Sequence, residues 1–112
     1  MAAEKHTSFF TPAIHQGGEP LDHSTRSFME DRFHYDFSNV RIHKDAAAHR
    51  SAQGVNALAY TTNADIVFGA GQYQPHTRQG KKLLAHELTH VVQQGQSGNN
   101  MVQRQLAYTD PV

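Results

Sequence analysis

Cysteine and tryptophan are missing from this chain, and neither sign of charge is in excess. Without a thiol there is no disulfide, no thiolate nucleophile and no thiolate metal site, so histidine and carboxylate are the only strong metal ligands left. Ten basic and ten acidic side chains cancel to a formal charge of +0, and no global field draws the protein toward polyanions. Nucleic acid is therefore not an expected partner. Nowhere do apolar residues approach the roughly 20 in a row that span a bilayer, so no membrane span is expected. The opening MAAEKHTSFFTPAIHQ also lacks the apolar stretch of a signal peptide, and the expected place of synthesis is the cytoplasm.

What is present fits one modest core. The 112 residues are 38% hydrophobic, enough for a single domain and too few for two. Nine histidines stand out, because imidazole is the commonest side-chain metal ligand. Residues 1–20, broken by Pro12, Gly17, Gly18 and Pro20, read as a flexible arm. Residues 21–95 read as the folded core and residues 96–112 as a tail that could fold back through Met101, Val102 and Leu106.

Within the core, Thr25, Phe28, Met29 and Phe33 fall on one side of a helix predicted over residues 22–33. The string FSNVRIH alternates, which predicts a half-buried strand with Val40 and Ile42 inward and His43 on the opposite face. Asp45 is placed to cap a short helix through AAAHRSAQ that Gly54 ends. ALAYT and DIVF, joined through Thr62, Asn63 and Ala64, predict a hairpin. After the breakers in GAGQYQP, Thr77 can cap a helix running to about Gln94 and stopped by Gly95. The sum is an α+β domain: a small, mainly antiparallel sheet packed on that last helix, with two further helices.

The last helix carries His86-Glu87-Leu88-Thr89-His90, an HExxH pattern. Residues four apart stand one above the other on a helix, so the two imidazoles can converge on one ion, while Glu87, one position on, can reach a water in an open coordination position. Zinc so held lowers the pKa of its water to about 7 and polarises a carbonyl, the two difficulties of amide hydrolysis. The expectation is a zinc metalloendopeptidase with metal ligands His86 and His90 and general base Glu87. Leu84, Leu88 and Val91 give the same helix an apolar back. Catalytic zinc takes three protein ligands; His43 is the preferred third, against the plain alternative of an exposed strand imidazole, and Asp110 is the only downstream carboxylate. Tyr60, Tyr73 and Tyr108 are candidate oxyanion donors equally well explained by packing. An HExxHxxGxxH extension is absent, since Gln93 and Gln96 stand where its glycine and last histidine would fall, and this excludes a metzincin.

VRIH with Asp45, AYT, DIVFG, the GQY-P segment and LLAHELTHVVQQ resemble the core domain family of bacterial extracellular contractile injection systems, over about residues 21–94. The resemblance implies a minimal zincin-like fold, metal-ligand roles for His86 and His90, the base role for Glu87 and a functional role for His43. It further implies a peptide or protein substrate, a precursor or co-delivered toxin processed beside the injection machine, and export from the bacterial cytoplasm by it. The rival reading it leaves open is a non-catalytic adaptor that loads cargo.

Overall fold

The computed structural model describes residues 17–97 and 103–106. In chain order they form α1 (His23–Phe33), β1 (Arg41–His43), α2 (Ala46–Gly54), β2 (Ala57–Thr62), β3 (Asp65–Phe68), α3 (Arg78–Ser97) and β4 (Gln103–Leu106). The expected Met101 and Val102 fold-back contacts, like Tyr108, Asp110 and residues 1–16 of the arm, lie outside the described residues.

Aspartates cap the first two helices, Asp45 as expected and Asp22 at a position read as the first residue of its helix. Asp22 accepts the Thr25 amide at 3.1 Å and Asp45 the Ala48 amide at 2.9 Å, each satisfying a donor that has no partner within its helix. α1 closes on His34 in the left-handed region (φ 53). The β2–β3 hairpin turns through Asn63 and Ala64, with Asn63 left-handed at φ 56, a conformation asparagine tolerates.

The sheet runs β1-β3-β2-β4. It is mixed: β2 pairs antiparallel with β3 and β4, while β1 and β3 are parallel. α2 supplies the crossover that a parallel neighbour requires, which alternation alone does not reveal. β1 is also edged by the segment before Leu21. Glu19 and Ile42 exchange two backbone hydrogen bonds, 2.9 and 2.7 Å, so the ordered unit reaches into residues assigned to the arm.

Strand alternation gives the sheet two distinct faces. On one, Ala59, Ile42, Ile66 and Phe68 join Leu84, Leu88 and Val91 of α3, Met29 of α1, and Phe37 and Val40 in the main core. On the other, Tyr60 and Val67 pack with Ala48 and Val55 around α2. β1 is consequently buried on both faces and not half-exposed: His43, opposite Ile42 and paired with Val67, is 4% exposed, with Gly18 and Asp65 against its ring.

Two glycines decide how α3 sits. At Gly80, in its first turn, a Cβ would run into the backbone carbonyl of Gln74, so this turn lies directly on the preceding loop. Gly95 does not stop the helix, which continues to Ser97. Its backbone stays helical, and the missing side chain makes room for the Tyr35 hydroxyl.

Candidate functional site

α3 carries all three residues of the HExxH pattern on adjoining sectors. The apolar back, with Leu84 and Leu88 at 0% exposure, is worth about 1.5–3 kcal/mol for each large side chain buried and fixes the helix in rotation. That rotation brings Glu87 onto the sheet and leaves His86 and His90 on one flank, both partly exposed. Their rings stand 4.9 Å apart, centroid to centroid, and nearly perpendicular at 86°. His90 Nδ1 also lies 3.3 Å from Gln93 Oε1.

Glu87 is fully enclosed at 0% exposure. Thr61, on the main-core face of β2, donates its hydroxyl to Glu87 Oε1 at 2.6 Å, and Oε2 is buried with no hydrogen-bond partner. Loss of water around the carboxylate pushes its pKa up to about 7, and the Thr61 hydrogen bond only partly offsets this. A carboxyl in such a place holds or releases a proton near neutral pH. Two helical turns further, Gln94 Oε1 accepts the Asn63 amide at 2.7 Å. Glu87 and Gln94 thus form two polar ties between α3 and the hairpin.

The structure does not bring His43 to the α3 pair. Its Nε2 lies 2.8 Å from Asp65 Oδ1, its ring packs against Gly18, and it stands on the α2 side of the sheet, away from α3. Ile42 faces α3 instead, so the period of two that turned His43 from the main core also turned it from the HExxH helix. Among the described residues no three histidine, aspartate or glutamate side chains gather where they could hold an ion. His86 and His90 place two imidazoles side by side on α3, and no third histidine, aspartate or glutamate gathers with them among the described residues.

Two of the candidate oxyanion donors are otherwise engaged. The Tyr60 hydroxyl lies 2.6 Å from Ser51 Oγ on the α2 face. The Tyr73 ring packs on Phe68 at 5.1 Å, and burial pushes its phenol up to about 12. Thr61 and Asp65 were not singled out from sequence. For Thr61 a signal existed, since alternation along ALAYTT sets it on the same face as Ala59.

No described helix is long and apolar enough to cross a membrane. No curated protein and no solved structure matches the chain. A family model does, over residues 20–98, and its description is the eCIS core domain. With that match covering most of its length, the chain belongs to the extracellular contractile injection system core domain family, which associates it with contractile injection systems.

Proposed function

We propose that this chain is a zinc-dependent metallopeptidase-like domain that hydrolyses peptide bonds in a precursor or co-delivered toxin of a contractile injection system. The observation that carries the reading is the pairing of His86 and His90, rings 4.9 Å apart on a rigidly seated helix, with a proton-poised carboxylate between them in sequence. His86 and His90 would hold the ion through ring nitrogens. Bound zinc supplies Lewis-acid polarisation of the carbonyl and acidification of the attacking water. With Thr61 holding Oε1, Glu87 would take up the proton of the attacking water on Oε2, which has no partner among the described residues, and would pass it to the departing amine.

A second reading, a non-catalytic adaptor that loads cargo, is favoured by the complete enclosure of Glu87 and its tie to β2. Zinc per chain, measured for wild type, His86→Ala and Glu87→Gln beside cleavage of a denatured protein panel, separates the two. The peptidase reading expects Glu87→Gln to keep the metal and lose cleavage. A wild type that takes up zinc yet cleaves nothing supports the adaptor.

A further inference from the structure

On the flank of α3 away from the histidine pair, a cavity of about 250 Å³ opens between the first turns of α1 and α3. Phe28, Met29 and Pro75 give it an apolar floor, and Ser24, Thr25, His76 and Lys81 supply its polar wall. Two cations rest on one ring there: Lys81 Nζ lies 4.6 Å and Arg32 Cζ 4.1 Å from the Phe28 centroid. Neither has an acidic partner among the described residues, where the ion pairs involve Arg26, His43 and Lys44. The nearby carboxylate, Asp22, accepts the Ser24 hydroxyl and the Thr25 amide on Oδ2, and its charge acts on His76 at the wall.

Two cations without an acidic partner among the described residues, beside an apolar floor, ask for an anion on an aliphatic stem. The volume admits one side chain and little more. With formal charge +0 and no extended basic track, a polyanion is not the match. We propose that this cavity is a docking point for an acidic segment of a partner protein. One glutamate side chain enters, lays its stem on the apolar floor beside Pro75, and sets its carboxylate against Lys81.

The probe is a short fluorescein-labelled peptide of alternating glutamate and leucine, its glutamine counterpart serving as control, read by anisotropy on the full chain. Amide shifts from titration with the unlabelled peptide should cluster at Ser24, Thr25, Phe28 and Lys81. Lys81→Glu and Arg32→Glu should weaken binding by about tenfold or more, while the exposed Lys82→Glu leaves it unchanged. Lys81→Met keeps the stem over Phe28 and guards against a mere folding defect; it should still weaken binding. Equal binding of the glutamine peptide, shifts confined elsewhere, or an unaffected Lys81→Met overturns the proposal. Displacement by millimolar inorganic phosphate alone would also overturn it, marking a free-anion site.

Discussion

At Glu87 the balance of forces is unusually one-sided. A single hydroxyl, from Thr61, is set against the loss of all solvent, and the carboxyl rises to about 7 from its ordinary 4.5. Because the folded value lies above the unfolded one, the fold binds the proton more tightly. The resulting stability is fully present below about 4.5, declines as pH rises from there to about 7, and is absent above. The ceiling on the effect is about 3 kcal/mol, because each tenfold change in proton affinity corresponds to about 1.4 kcal/mol. Metal-free Glu87→Gln should therefore be more stable than wild type at pH 8, by about 1–3 kcal/mol in urea unfolding. The two should converge toward pH 4.5. A variant less stable than wild type at pH 8 would mean that the carboxylate has partners beyond Thr61. Thr61→Val removes the one donor and should cost about 1–3 kcal/mol at pH 8, where Glu87 is charged, and less at pH 5; Thr61→Ser should retain most of the stability. Glu87 as the acid–base residue was legible from its place in the pattern. Its enclosure was not, because a helix wheel ranks it as a polar position beside the apolar stripe and says nothing of what strand lies over it.

Among the elements, α3 is held by close approach at its start and by a polar tie near its end. Gly80→Ala would place a methyl group against the Gln74 backbone, which cannot withdraw without moving the loop. A loss of about 2–4 kcal/mol is expected, visible as a lowered Tm. Gln94→Leu leaves the Asn63 amide of the hairpin turn without its acceptor and should cost about 1–3 kcal/mol, with faster hydrogen exchange at Asn63. The helices, the Asp45 cap and the hairpin were readable, since each rests on local signals: a 3.6-residue stripe, a capping side chain, a short turn-forming connection. The parallel β1–β3 pairing, the run of α3 past Gly95 and the burial of His43 were not, because all three depend on what packs against the element. α2 covers the second face of the sheet, and Tyr35 occupies the space beside Gly95.

For the whole molecule, the sheet separates two histidine environments. His43 and Asp65 pair on the sheet face they share with Val67, while His86 and His90 sit on a flank of α3 on the other side. A strand residue chosen as a third metal ligand for facing away from the core was for that reason on the wrong side of the sheet; two-residue alternation reads the face, but only the layering says which helix covers it. The two-nitrogen pair is the feature on which the peptidase reading stands. Equilibrium dialysis of the full chain against zinc, with metal counted per chain, tests it most directly. Wild type should take up one zinc, and His86→Ala and His90→Ala should each lose it, while His43→Ala, if folded, retains it. Wild type that takes up no zinc, or uptake that survives loss of both α3 imidazoles, would contradict the account.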